Sequence, residues 1–128
     1  MSMPVVVLGY GAVGRAVTAQ LALRGAKVIV GQRREPTQLP PEVRFAPVDL
    51  TVRESVLAAA AGAAAVICCA GFPYRAAVWE RAWPVAMDNM LAAAAGARFI
   101  FADNLYMYGP QTVALVEDLP LTDFGRKP

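Results

Sequence analysis

The sequence predicts an α/β fold, a doubly wound parallel sheet with strand order 3-2-1-4-5. Three observations carry this expectation. Short apolar runs bounded by turn residues alternate with stretches of helical periodicity along the chain. The runs are almost continuously apolar, as strands buried on both faces are. A glycine-rich turn, Gly9-Tyr10-Gly11-Ala12-Val13-Gly14, joins the first run directly to the first helix. Right-handed crossovers between parallel strands then favour the order given.

The elements follow one another closely. Val5-Leu8 is a short apolar run ending in glycine, the first strand. Residues 13–24 carry apolar side chains at Val13, Val17, Leu21 and Leu23, and this helix stops at Arg24-Gly25 with a basic last turn and a glycine beyond it. Lys27-Gly31 reads as a second strand. Gln32 to Pro41 is polar and holds three prolines, so it is a loop. Val43-Val48 is a third, shorter strand, and Pro47 points to an edge position. Thr51 with Glu54 three residues on forms a capping box for a helix over 52–61. Ala64-Ala70 is a fourth strand, followed by a Gly71-Phe72-Pro73 loop. A longer helix runs from 75 to 95, which Pro84 should interrupt or kink. Arg98-Ala102 is a fifth strand. From Asp103 onward the chain is loop-like, with three prolines and no periodicity.

Composition bounds the function. The 128 residues fit one domain; 57% are hydrophobic and 17% charged, enough apolar content for a packed core. The net charge of +2 is spread along the chain, so there is no basic footprint for nucleic acid or an anionic membrane. With no histidine, the commonest general base and metal ligand is missing, and no metal site is expected. Cys68 and Cys69 are adjacent in a strand, so they face opposite ways and form no redox or zinc motif; they read as small buried hydrophobes of a reducing compartment. The uncharged run from Ser55 to Tyr74 contains Gly62, Gly71 and Pro73 and divides into a helix and a strand, which favours a soluble interior over a membrane span. No signal peptide precedes Val5, and the expected location is cytoplasmic.

The glycine turn carries the chemistry. Placed between strand and helix, Gly9 permits the tight turn, Gly11 lets the backbone approach a pyrophosphate, and Gly14 lets helix and strand pack closely. The turn reads as the phosphate-binding turn of a Rossmann-type dinucleotide unit before it reads as a merely structural glycine-rich turn, and Gly9, Tyr10, Gly11, Ala12, Val13 and Gly14 are its candidate residues. An NAD site usually ends its second strand in an acid that accepts from the ribose 2′-hydroxyl. Here the positions read Gly31-Gln32-Arg33-Arg34, and two guanidiniums suit a 2′-phosphate, so NADP is expected over NAD. The competing reading of Arg33 and Arg34 is a solvated basic loop. Asp49 either accepts from the adenine amine or caps the following helix or its loop, and both readings stand. Ala70 and Gly71 close the fourth strand with small residues, which leaves room for a cofactor and equally serves close packing.

The glycine loop, Val48-Asp49-Leu50-Thr51, the strand end Cys69-Ala70-Gly71 and above all Asp103-Asn104-Leu105-Tyr106-Met107-Tyr108-Gly109-Pro110 resemble the short-chain dehydrogenase/reductase superfamily. The match is to its extended and atypical branch, the NAD-dependent epimerase/dehydratase family, over nearly the whole chain. The resemblance implies an NAD(P)-binding Rossmann domain over 1–128, with Leu50 beside Asp49 at the cofactor. It also implies an oxidoreductase or epimerase acting on a small carbonyl or nucleotide-sugar substrate, with a homodimer as a further expectation. Hydride would pass to substrate bound above Asn104, Tyr106 and Tyr108. Asn104 stands where the family has Ser or Thr, so its catalytic role is in doubt. The family's Tyr-x-x-x-Lys pair is not found: the end of the chain offers Phe124 and Lys127, at the wrong spacing and without a hydroxyl. Either this branch lacks the motif or the chain stops before reaching it. The family's greater length and the exposed fifth-strand edge favour the second, so the chain is expected to be the N-terminal part of a longer protein, truncated before the later strands. The alternative is a non-catalytic NADP-binding sensor. A nucleotide-gated channel regulator ranks below both, because it normally carries the missing second-strand acid. On the helix over 75–95, Trp79, Trp83, Met87 and Met90, with Tyr74 just before it, read as core or dimer face before they read as a substrate wall. Asn89 reads as structural.

Overall fold

In the computed structural model, which describes residues 2–122, the first apolar run forms the central strand β1 (Val5–Leu8). Its side chains alternate between two layers, Val6 and Leu8 entering one core and Val7 the other. β2 (Val28–Gln32) and β4 (Ala65–Cys68) flank it in parallel. β3 (Arg44–Pro47) and β5 (Arg98–Phe101) are the edges, so the order is β3-β2-β1-β4-β5, as the sequence leads one to expect. Pro47, with no N–H to donate, sits on the β3 edge where that loss is tolerated.

Helices cover both faces. α1 (Ala12–Leu23) lays Val17, Leu21 and Ala22 on Val7, Val28 and Val30. On the other face, α2 (Arg53–Ala60) and α3 (Ala76–Ala93) bring Val56, Ala86 and Met90 against Val6, Leu8, Val66 and Cys68. Each such fully buried large side chain contributes about 1.5–3 kcal/mol of hydrophobic stabilisation. Cys68 joins the α2/α3 core while Cys69 packs toward α1, so the two thiols do face opposite ways. Both are free, and burial pushes both above the usual thiol range.

Three local expectations need correction. Thr51 does not cap α2: the residue before the helix is Val52, and no side chain caps it. The hydroxyl of Thr51 turns back to Asp49 Oδ1 instead, because a tight turn from Asp49 to Val52 brings a stronger acceptor within reach. Pro84 does not interrupt α3, which runs unbroken through it. Pro84 is exposed, whereas Ala86, Asn89 and Met90 on the packed side are buried and hold the helix against the sheet. Arg24 lies at the C-cap of α1 rather than in its last turn, and the left-handed Gly25 follows it.

The topology positions the site. The chain builds β1, β2 and β3 toward one edge, then crosses over to place β4 on the far side of β1. Between β1 and β4 the connections therefore depart in opposite directions and leave a crevice at the carboxyl ends of the strands. The pairing of Leu8 with both Gly31 and Cys68 brings the ends of β2, β1 and β4 into line there.

Candidate functional site

The turn after β1 is shaped by two close approaches. Gly9 adopts φ of +95°, a conformation open to glycine, and a Cβ on it would lie 2.7 Å from the Ala70 Cα. A Cβ on Gly14 would collide with the Gly9 carbonyl oxygen, so the start of α1 closes directly onto the turn. Gly11 differs from both: nothing lies within 4 Å of where its Cβ would stand. Its role is therefore not set by packing within the chain. As the N-cap of α1, Gly11 brings no side chain to the first-turn N–H groups, and the first of the helical bonds runs from Arg15 N–H to Gly11. The N–H groups of Ala12, Val13 and Gly14 are thus left at the positive end of the helix dipole, an arrangement suited to an anion.

The turn opens into a cleft of about 820 Å³, within the range of roughly 300–1,000 Å³ typical of small-molecule sites. Gly9, Tyr10 and Gly11 line it, as do Arg33, Arg34, Asp49, Leu50, Ala70 and Gly71, so these sequence candidates converge on one place. Ala12 and Val13 open the helix above it, and Gly14 is buried beneath. Asp49 Oδ1 accepts from the Thr51 hydroxyl at 2.6 Å and from the Thr51 N–H at 2.9 Å. Those two bonds, helped by the Arg33 guanidinium, hold its carboxyl below the usual carboxylate range despite some desolvation. Of the two readings left open for Asp49, the loop cap is realised, and the side chain still borders the cleft.

Gln32 is the residue the sequence reading noticed only as a missing acid. Its Oε1 accepts the Tyr10 N–H at 3.1 Å, and its Nε2 donates to the Arg34 carbonyl at 2.8 Å. One amide thereby ties the glycine turn to the loop carrying both arginines. Tyr10 adds to this junction, its ring beneath the Arg15 guanidinium and its hydroxyl reaching the Gln38 carbonyl. Phe72, Pro73 and Val78 also line the cleft and were missed. Only their place after β4 could have signalled them.

The remaining candidates lie apart. Asn104, Tyr106 and Tyr108 follow β5 and are not among the residues lining the cleft. Asn104 Oδ1 accepts the Tyr106 N–H at 2.9 Å, an Asx turn leading into the short 3₁₀ turn at Tyr106–Tyr108. The hydroxyls of Tyr74 and Tyr106 are hydrogen-bonded, which raises the Tyr74 phenol above its usual range. Phe124 and Lys127 lie outside the described residues. Trp83, Met87 and Met90 pack with the α2/α3 core, as expected of core residues. Trp79 stacks obliquely on Trp83, their ring centroids 4.8 Å apart, and meets Phe72 edge-on. Among the described residues no group of three or more His, Cys, Asp or Glu side chains is placed to hold a metal, and no helix is long and apolar enough to cross a membrane.

A model of the NAD dependent epimerase/dehydratase family matches residues 5–126. The chain belongs to this family. Membership accounts for the glycine turn, the strand order and the segment after β5 together. Among solved structures, the chain is similar to a short-chain dehydrogenase/reductase superfamily protein from Agrobacterium tumefaciens with bound NAD, at 29% identity and a TM-score of 0.77, over 92% of this chain and 38% of that one. Uronate dehydrogenase from the same organism shares the fold at 22% identity and a TM-score of 0.78, over 94% of this chain and 48% of its own. The Bordetella bronchiseptica enzyme WbmH, in complex with NAD+, does so at 18% identity and a TM-score of 0.83, over 98% and 47%. The chain thus spans less than half the length of each of these family-fold structures. No curated protein matches it.

Proposed function

We propose that this chain is the NADP-binding portion of an epimerase/dehydratase-like oxidoreductase acting on a small carbonyl or nucleotide-sugar substrate. The observation that carries the reading is the continuity of one cleft from the uncapped turn at Gly11 to Arg33 and Arg34. The residues fit a dinucleotide. A glycine with open space above it sits where a pyrophosphate needs close backbone approach, and no carboxylate ends β2. In this reading the N–H groups of Ala12, Val13 and Gly14 hold the pyrophosphate. Arg33 and Arg34 take a 2′-phosphate, Asp49 and Leu50 border the adenine side, and Ala70 and Gly71 pass beneath the linker. When bound, the nicotinamide would exchange hydride with a substrate carbon. The chain's own part is to hold and orient the cofactor, with Phe72, Pro73 and Val78 lining the cleft beyond Gly71.

The test is titration with NADPH and NADH, followed by nicotinamide fluorescence. Loss of one charge-assisted contact of about 1.5–3 kcal/mol weakens binding roughly 10- to 100-fold. Arg33→Ala and Arg34→Ala should each weaken NADPH by that order and leave NADH unchanged. Preference of the parent protein for NADH, or indifference of NADPH to both substitutions, would overturn the 2′-phosphate assignment. No binding of either dinucleotide would overturn the reading altogether.

A further inference from the structure

One buried polar side chain outside the cleft has both ends of its amide engaged, and both partners belong to the approach to α2. Asn89 lies in the C-terminal third of α3 and is 4% exposed. Its Nδ2 donates to the Leu50 carbonyl at 2.8 Å, and its Oδ1 accepts from Arg53 Nε at 3.1 Å. A buried amide is held in place by such bonds, since an unmatched polar group there is unfavourable. The Leu50 carbonyl belongs to the segment from Asp49 to Thr51, which lines the cleft.

That segment has a second anchor, from α2. Ser55 Oγ accepts the Asp49 N–H at 3.1 Å and lies 2.8 Å from the Asp49 carbonyl oxygen. Asp49 is thus fixed from α2 and Leu50 from α3, while the Asp49 carboxylate gathers in Thr51. From this geometry we infer that Asn89 is a positioning residue for dinucleotide binding: through the Leu50 carbonyl it sets the cleft wall on the adenosine side. Its partnership with Arg53 is a separate matter, joining α3 to the first residue of α2. The two bonds of one side chain therefore have different consequences. The bond to Leu50 governs affinity, and the bond to Arg53 governs only how the helices meet.

This inference rests on the proposed cofactor reading, and the two can fail separately. Asn89→Asp keeps the volume and the acceptor for Arg53 but replaces the donor to Leu50 with an oxygen that repels its carbonyl. Arg53→Ala does the reverse, removing the helix link and leaving the Leu50 bond. The probes are NADPH, adenosine 2′,5′-bisphosphate for the adenosine side, and nicotinamide mononucleotide for the other, with thermal unfolding recorded alongside. Asn89→Asp should weaken NADPH and the bisphosphate at least tenfold and leave the mononucleotide within twofold. Arg53→Ala should leave all three within twofold, whatever its melting temperature. Ser55→Ala, which loosens the same wall at Asp49, should weaken the bisphosphate several-fold and serves if Asn89→Asp does not fold. Unchanged bisphosphate affinity in Asn89→Asp or in Ser55→Ala would overturn the inference, as would equal losses in Asn89→Asp and Arg53→Ala. Those outcomes leave the cofactor reading intact. A parent protein that binds neither NADPH nor the bisphosphate would remove both.

Discussion

Gly11 and Gly14 should respond oppositely to the same substitution. An added methyl at Gly14 meets the Gly9 carbonyl oxygen head-on, so Gly14→Ala must pry the start of α1 away from the turn. Such overpacking costs about 1–3 kcal/mol, which for a domain of this size lowers the melting temperature by roughly 5–15 °C. At Gly11 the backbone is extended, with φ of −80°, and the methyl enters open space. Alanine is a poorer N-cap than glycine, but it restricts the unfolded chain more, and the two effects offset to within about 1 kcal/mol. Gly11→Ala should therefore melt like the parent protein. Its methyl would nevertheless stand where the pyrophosphate must approach, and displacing the phosphate from even one N–H forfeits about 1.5–3 kcal/mol, roughly 10- to 100-fold in affinity. Differential scanning fluorimetry and NADPH titration on both variants separate the effects. If Gly11→Ala bound NADPH as tightly as the parent protein, or melted as early as Gly14→Ala, the division of labour argued for the two glycines would be wrong.

Two further outcomes follow from the cleft's polar groups. The Asp49 carboxyl is depressed chiefly by the Thr51 hydroxyl, so Thr51→Val should raise its pKa toward the ordinary value, as read by carboxyl NMR titration. A depressed folded-state pKa stabilises above the unfolded pKa and loses that contribution as pH falls through the folded value. The stability gap between parent and Thr51→Val should thus be full at neutral pH and shrink well below pH 4, and a gap independent of pH would refute the assignment. Cys69 is half-buried and borders the cleft, whereas Cys68 is fully buried. A thiol reagent at mildly alkaline pH should label Cys69 first, and saturating NADPH should slow it; labelling indifferent to NADPH would argue against occupancy of this cleft.

The glycine turn was legible because its requirements are local. Gly9 and Gly14 answer to backbone atoms of the same turn and of the neighbouring strand end, and strand followed by helix supplied that context. The strand order was legible for a similar reason: parallel crossovers leave few topologies. Thr51 shows the limit of a local pattern. The Thr-x-x-Glu spacing matched a capping box, yet Asp49, two residues earlier, offered the hydroxyl a charged acceptor. Gln32 and Asn89 mark a different limit. Each has a partner 22 or more residues away in the chain, Gln32 at Tyr10 and Asn89 at Arg53 and Leu50. Such pairings exist only once the sheet register and the α2/α3 packing are set, and no spacing in the sequence announces them.

The amide of Gln32 also bears on how the cleft would distinguish its two candidate cofactors. A ribose 2′-hydroxyl is best held by a carboxylate, which accepts strongly and has lone pairs to spare. At the end of β2 the side chain is neutral, its Oε1 already takes the Tyr10 N–H, and its Nε2 already gives to the Arg34 carbonyl. Replacing it by glutamate would keep the first bond, break the second and set a negative charge beside two guanidiniums. As built, the position offers a 2′-hydroxyl little and a 2′-phosphate two cations, with Asp49 also lining the cleft. That carboxylate is held low chiefly by the Thr51 hydroxyl and N–H, and to a smaller extent by Arg33. Among the charged side chains lining the cleft, two arginines stand against one aspartate, which in the proposed reading favours the phosphate by attraction rather than by excluding the hydroxyl. Selectivity of this kind would reside in Arg33 and Arg34, both exposed, whose loop the Gln32 amide ties to the glycine turn.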